Sequence, residues 1–238
     1  MKIEVCGVEK SFKNEIVLKE INLQIEEGKI YCLLGASGSG KTTLLNIIMG
    51  ALAPNRGDVI IDGIKVPDKR LLSRIGFMPQ QDALYNELSV WDNLKFFAGI
   101  QKVRKGEFKE QAIKVLEIIG MLDKKDKLVG KCSGGTKKRV SLAAALIHNP
   151  EILILDEPTV GIDPVLRKKI WGHLSDLKAE GKTIIVTTHV MDEVTECDYA
   201  TLLRYGKIIK SDRVVDLLKL TKDGKIEELF LVNDKEEV

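Results

Sequence analysis

The sequence predicts an α/β fold with a mainly parallel core sheet, a strand-rich N-terminal part and an inserted helical segment. Three observations predict it. A continuous apolar run of strand length, Ile30-Tyr31-Cys32-Leu33-Leu34, leads at once into a glycine-rich stretch and then a helical pattern. Two later apolar runs, Ile152-Leu153-Ile154-Leu155 and Thr183-Ile184-Ile185-Val186-Thr187, flank a helical pattern over residues 166–180, the alternation expected of βαβ units. Between these blocks, residues 88–148 are dominated by helical spacing.

Taken in order, Ile3, Val5, Cys6 and Val8 mark a first strand, and Val17, Leu18, Ile21, Leu23 and Ile25 a second. Glu26-Glu27-Gly28 is a turn before the buried run at Ile30. Leu44, Leu45, Ile47 and Ile48 form the apolar face of the helix after the glycine loop. In the middle, Phe108, Ala112, Val115, Leu116 and Ile119 recur at intervals of three and four, so residues 107–120 form an amphipathic helix. Residues 91–100 and 140–147 also have helical patterns. At the end, residues 202–209 suit a hairpin closed at Tyr205-Gly206, and residues 212–220 a helix. Residues after Lys222 are strongly charged, with Leu229, Phe230 and Leu231 as candidates to dock.

With 238 residues the chain is long enough to bury a substantial core. A net charge of +2 points to neither nucleic acid nor a membrane surface as partner. The four cysteines, Cys6, Cys32, Cys132 and Cys197, form no CxxC pair and are read as reduced thiols rather than a disulfide or zinc framework. No secretory leader is expected at the start, and no apolar run approaches the ~18 residues of a membrane span. Work at a membrane would therefore need a spanning part from another chain.

The chemistry concentrates at two places. Gly35-Ala36-Ser37-Gly38-Ser39-Gly40-Lys41-Thr42 fits GxxxxGK[ST], between a strand and a helix, with Thr43 following. Glycines let successive backbone N–H groups turn inward around phosphate oxygens, and the helix start adds its positive end. Lys41 would reach the β and γ phosphates, and the Thr42 hydroxyl would bind Mg²⁺. The alternative is a flexible glycine turn, which the flanking strand and helix disfavour; the dinucleotide pattern GxGxxG fails on spacing. Second, the strand at Ile152 ends in Asp156-Glu157, followed by Pro158. Open α/β sheets place ligands at strand ends. There Asp156 would hold Mg²⁺ and Glu157 would orient or deprotonate an attacking water. An exposed acidic strand end is the bland alternative.

With these elements in sequence, the chain resembles the ATP-binding cassette (ABC) proteins, and more closely the exporter-like ATPase subunits of ABC transporters. The similarity runs from about Ile3 to about Lys210. Residues 35–43 match the Walker A loop, Gln80 the Q-loop glutamine, Ser133-Gly134-Gly135 the core of the signature, and residues 152–157 Walker B. Gly161-Ile162-Asp163-Pro164 resembles the D-loop, and Thr187-Thr188-His189 ends in the switch histidine. The resemblance implies a phosphate-loop NTPase fold of ABC type over residues 1–238 as a single domain. Its core sheet is mainly parallel, its N-terminal β part antiparallel, and its helical insert covers about 88–148. It implies ATP and Mg²⁺ as cofactors. Catalysis falls to Glu157, His189 and Gln80; metal binding falls to Thr42, Gln80 and Asp156. Nucleotide contacts fall to Phe12, Val17, Gly35, Ala36, Ser37, Gly38, Ser39, Gly40, Lys41, Thr42 and Thr43, and to Ser133, Gly134 and Gly135. Phe12 would stack on adenine, although a lone Phe reads equally as core. Two cassettes pack head to tail in this family, each signature capping the other's γ-phosphate, so a homodimer or heterodimer is expected.

Two departures stand out. Cys132 replaces the usual Leu before the signature serine, and Thr136 replaces the usual Gln after the glycines. The Lys137-Lys138-Arg139 run beyond it is read as a solvated helix face. The resemblance further implies a membrane-spanning transporter subunit as partner, no nucleic acid, and a place on the cytoplasmic face of the cell membrane. Leu84, Tyr85, Leu88, Trp91, Phe96 and Phe97 are the candidates for meeting that subunit, with residues 82–87 favoured and Leu94 and Phe97 expected in the core. A soluble cluster-assembly ATPase and a binding-only module are the rival readings; intact Lys41, Asp156, Glu157 and His189 oppose the second.

Overall fold

The computed structural model describes residues 2–13, 15–81 and 83–232. In chain order the elements are β1 (Ile3–Phe12), β2 (Glu15–Ile25), β3 (Ile30–Leu34), α1 (Lys41–Ile48), β4 (Arg56–Ile61), β5 (Ile64–Lys65), α2 (Lys69–Leu72), β6 (Ile75–Met78), α3 (Val90–Ile100), α4 (Lys105–Ile118), α5 (Gly134–Leu146), β7 (Ile152–Asp156), α6 (Pro164–Ala179), β8 (Thr183–Thr188), β9 (Tyr199–Arg204), β10 (Lys207–Arg213), α7 (Val214–Lys219) and α8 (Glu228–Val232). The chain divides into two compact units, one holding the described residues of Met1–Asp68 and Ile185–Val238, the other Lys69–Ile184.

In the first unit an antiparallel sheet has the order β2-β1-β4-β5. Its register brings Ile3 opposite Ile25 and Ile61, and Val5 opposite Leu23 and Val59. All six side chains are buried, so alternation along three strands makes one apolar face. A second set of strands runs β10-β9-β3-β8. β3 pairs with β9 in parallel, from Tyr31 opposite Tyr199 to Leu34 opposite Leu202, and β10 returns antiparallel to β9. Every residue of β3 is buried, which is why it has a continuous rather than alternating apolar pattern. Tyr31 and Tyr199 stack 4.7 Å apart, and Asp198 accepts from the Ile30 N–H at 2.8 Å, fixing where β3 begins.

In the second unit β6 and β7 pair in parallel, Ile75 opposite Ile152 and Met78 opposite Leu155. Helices α3, α4 and α5 pack on one another through Leu94, Ala98, Ala112, Val115, Leu116, Val140 and Ala143, all buried. These three helices fall within residues 88–148. Helix α5 lies close on β6: a Cβ at Gly76 would stand 2.2 Å from the Ala145 carbonyl oxygen. Only glycine fits that approach.

Three sequence expectations change. Helix α5 begins at Gly134, ahead of the helical pattern at 140–147, so the signature glycines are its first turn. Asp212 and Arg213 extend β10, and the helix after it covers only Val214–Lys219. Strands β4, β5 and β6 and helix α2 were not anticipated.

Candidate functional site

In the first unit the stretch from Gly35 to Gly40 leads from β3 into α1. Gly38 and Gly40 hold φ of 80° and 104°, conformations that L side chains avoid. A Cβ at Gly35 would lie 2.3 Å from the Leu203 carbonyl oxygen, and one at Gly40 2.7 Å from Leu18. The loop is therefore drawn tight against its neighbours, and the Ser39 N–H donates to the Ala36 carbonyl at 3.2 Å across the turn. No side chain caps α1. The Lys41 ammonium donates to the carbonyls of Gly35 at 2.7 Å and Ala36 at 3.0 Å, within the loop's own concavity. Ser39 is buried, and its Oγ makes no hydrogen bond among the described residues. Such an orphaned hydroxyl normally requires a partner, and an anion in the loop would supply one. Thr42 is exposed and Thr43 half-buried on the first turn of α1.

His189 is exposed directly after β8. It lines a cleft of about 630 Å³ with Gly35, Ala36, Ser37, Gly38 and Ser39. The structure thus brings His189 and the phosphate loop to one cleft. Five further lining residues were not anticipated: Met191, Arg204, Tyr205, Glu227 and Phe230. Arg204 lies over the Tyr205 ring at 4.9 Å and donates to the Phe230 carbonyl at 2.9 Å, tying the C-terminal helix to the hairpin tip. The exposed aromatic at that tip was the one sequence signal for this wall. Val17 does not line the cleft, but its carbonyl oxygen stands 3.0 Å from where a Gly40 Cβ would be. Phe12 is 47% exposed with the Lys10 ammonium 5.1 Å above its ring. That exposure removes the core alternative for Phe12.

In the second unit β7 is buried throughout and ends at Asp156, itself 1% exposed. Glu157 follows at φ 52°, a strained value for a non-glycine residue. The Gln80 side-chain amide donates to Glu157 Oε2 at 3.2 Å. The neighbouring Gln81 has no such bond among the described contacts, so Gln80 is the glutamine that meets the acidic strand end. Lys138, on α5, donates to the Glu157 carbonyl at 3.1 Å. Burial lowers the Lys138 pKa from its ordinary value, against the opposing pull of Glu157 and Asp156.

Ser133 is the N-cap of α5; its Oγ accepts from the Thr136 N–H and lies 2.9 Å from the Thr136 hydroxyl. Gly134 and Gly135 then begin the helix, so their N–H groups belong to the positive helix end. The basic run is not a solvated face. Lys137 donates to the Asn86 side chain, Lys138 to Glu157, and Arg139 to the Ile119 carbonyl and Thr136. Asp163 caps α6 by accepting from the Leu166 N–H at 3.0 Å.

Beyond Gln80, Asp82 lies outside the described residues. Residues 83–88 are pinned by Asn93, which is fully buried; it accepts from the Tyr85 N–H at 2.9 Å and donates to the Tyr85 carbonyl at 3.0 Å. Tyr85 and Phe96 are exposed and meet edge to face at 4.6 Å. Leu94 is buried and Phe97 half-buried, as expected of core positions. Among the described residues no cluster of three or more His, Cys, Asp or Glu could hold a metal. No described helix is long and apolar enough to cross a membrane.

A family model described as "ABC transporter" matches residues 18–160. The chain is 41% identical over 97% of its length to ABC transporter G family member 20 of Dictyostelium discoideum, and spans about a third (32%) of that relative. It is 36% identical over 98% of its length to the Nod factor export ATP-binding protein I of Rhizobium sp. (strain N33), covering 78% of it. Among solved structures, an ATP-binding cassette captured as a dimer in a post-hydrolysis state, bound to ADP and Pi, superposes with a TM-score of 0.82 at 30% identity. That match covers 89% of this chain and 98% of the other.

Proposed function

The chain belongs to the ABC transporter family, and on that premise we propose that it is the subunit that binds and hydrolyses ATP to power transport through a separate membrane-spanning subunit. The observation that carries this reading is the phosphate loop, with its tight glycines, the enclosed Lys41 ammonium and the orphaned Ser39 hydroxyl. The donors suit a polyanion: a glycine-rich turn at a helix start, one cation and a hydroxyl without a partner among the described residues.

In this reading residues 35–43 hold the phosphates, Lys41 neutralises the β and γ oxygens, and Phe12 stacks on adenine beside Val17. Glu157 orients a water and takes its proton as the water attacks the γ-phosphorus; ADP leaves with the bridging oxygen, and His189 steadies the charge on the transferred group. Gln80 aims the Glu157 carboxylate. The donor types, a hydroxyl, an amide oxygen and a carboxylate, fit Mg²⁺, which is bound through few protein ligands together with phosphate oxygens; Thr42, Gln80 and Asp156 would be the residues to hold it. Mg²⁺ supplies charge neutralisation on the phosphates.

Ser133, Gly134 and Gly135 serve a second copy or a related subunit: they close over the partner's triphosphate, so ATP joins the pair and hydrolysis releases it. The dimeric capture of the similar cassette with ADP and Pi supports this. The membrane subunit docks at the pinned segment 83–88 and the Tyr85–Phe96 pair, on the cytoplasmic face of the membrane, without nucleic acid. Export is the direction this reading adopts, supported by the name of the Rhizobium relative. Cargo choice resides in the membrane subunit.

The test is a paired substitution. Lys41→Ala loses most ATP affinity by calorimetry, whereas Glu157→Gln binds ATP normally, stalls hydrolysis and accumulates as an ATP-dependent dimer in light scattering. Unchanged affinity in the first variant, or normal turnover in the second, overturns the reading. Affinity capture from membranes then has to recover a spanning subunit.

A further inference from the structure

Glu157 is held at two points within the second unit. Gln80 grips its carboxylate at 3.2 Å, and Lys138 grips its main-chain carbonyl at 3.1 Å. The main-chain grip matters because Glu157 sits at φ 52°, a conformation a non-glycine residue keeps only when its surroundings enforce it. A carboxylate on such a residue changes its aim when the backbone relaxes.

The donor comes from an informative place. Lys138 lies on α5, the helix whose first turn is Gly134 and Gly135 and whose cap is Ser133. Its ammonium is half-buried, a costly position for a charge unless anions stand by. Glu157 and Asp156 are those anions. The same helix touches the segment after β7 a second time: a Cβ at Gly135 would lie 2.9 Å from the Gly161 carbonyl oxygen. The helix start thus lies close to this segment at Glu157 and again beyond it at Gly161.

We infer that Lys138 is a positioning residue for Glu157: by holding the Glu157 carbonyl from α5 it sets the aim of the carboxylate and links the signature helix to hydrolysis. This rests on the ATPase reading given above. Lys138 touches neither the nucleotide nor the water; it acts through Glu157. Movement of the helix start, when a partner's nucleotide is gripped or released, is passed along one helix to the residue that activates water.

Steady-state ATPase kinetics of Lys138→Met and Lys138→Arg test this, with Glu157→Gln as control. Lys138→Met should lower kcat about tenfold or more with KM for ATP within about twofold, because binding groups are untouched. Lys138→Arg, which keeps a charged donor, should recover most of the loss. In the Glu157→Gln background, Lys138→Met should leave the ATP-dependent dimer intact. A wild-type kcat in Lys138→Met overturns the inference. So does a fall that Arg fails to rescue, or one that comes with an equal loss of ATP binding, because each marks a merely structural lysine. If Glu157→Gln itself turns over normally, it is the ATPase reading that fails; if it stalls while Lys138→Met runs at full rate, this inference alone fails.

Discussion

Gly134→Ala separates stability from turnover. Gly134 is the first residue of α5, and a Cβ built there meets nothing within 4 Å. Its φ is not in the left-handed region, so alanine can adopt the same backbone. Replacing glycine in a helix stabilises by roughly 0.5–1 kcal/mol, partly by restricting the unfolded chain. At a first-turn position the lower figure applies, which for a chain of this size raises the melting temperature by about 1–2 °C. The space that is empty in one cassette is, in the proposed pair, where the partner's triphosphate is gripped by the Gly134 N–H. A methyl group there obstructs the phosphate. ATPase activity and the ATP-dependent dimer of the Glu157→Gln background should each fall by about tenfold, equivalent to about 1.4 kcal/mol. Gly135→Ala is the contrast: its Cβ would press to 2.9 Å on the Gly161 carbonyl oxygen. Overpacking of that kind costs about 1–3 kcal/mol, which exceeds the helical gain, so this variant should melt lower. Thermal melts without nucleotide and light scattering with ATP read the two effects apart. A Gly134→Ala protein that melts slightly higher yet dimerises and hydrolyses at full rate would refute the assignment of that open face to nucleotide.

Three further outcomes are expected. Asn93→Ala removes the side chain that bonds both backbone groups of Tyr85 and the Ser89 carbonyl; urea unfolding should show a loss of about 2 kcal/mol, and a loss below a few tenths would mean that segment 83–88 is held by something else. His148 donates from Nε2 to the Ile75 carbonyl, while its Nδ1 is buried without a partner among the described residues; burial, with Lys182 nearby, lowers its pKa below 6.5. The unfolded chain then takes up the proton first as pH falls, so stability is lost below about pH 6.5, and a His148→Gln variant should lose less between pH 7.5 and 5.5; equal losses would show that His148 does not contribute. Thiol labelling should modify exposed Cys6 fastest and half-buried Cys132 more slowly, sparing buried Cys32 and Cys197; ATP should protect Cys132 in Glu157→Gln, and labelling indifferent to ATP while the dimer forms would place the signature outside the interface.

The parts of the molecule that sequence exposes are those whose chemistry forces local residue choice. A phosphate cradle needs glycines in a fixed order, so residues 35–43 were readable without a fold, and a strand buried on both faces, such as β3 or β7, needs an unbroken apolar run. Strand β6 hides for the opposite reason. It has four residues, and Gly76 within it argues against a strand; the glycine is there because α5 packs so closely, a cause that lies about seventy residues away at Ala145. Strand β4 hides because only Val59 and Ile61 are buried in it. The basic run at Lys137 shows the limit most clearly. Three consecutive cations on a helix look the same in sequence whether they face water or hold other elements, because long stems let the charge travel while the composition stays fixed. Here each one reaches a different partner, and one of them reaches the residue assigned to activate water. The fate of such a side chain is decided by what the fold sets within about 3 Å of its tip, and that neighbour, Glu157, stands just beyond the end of β7.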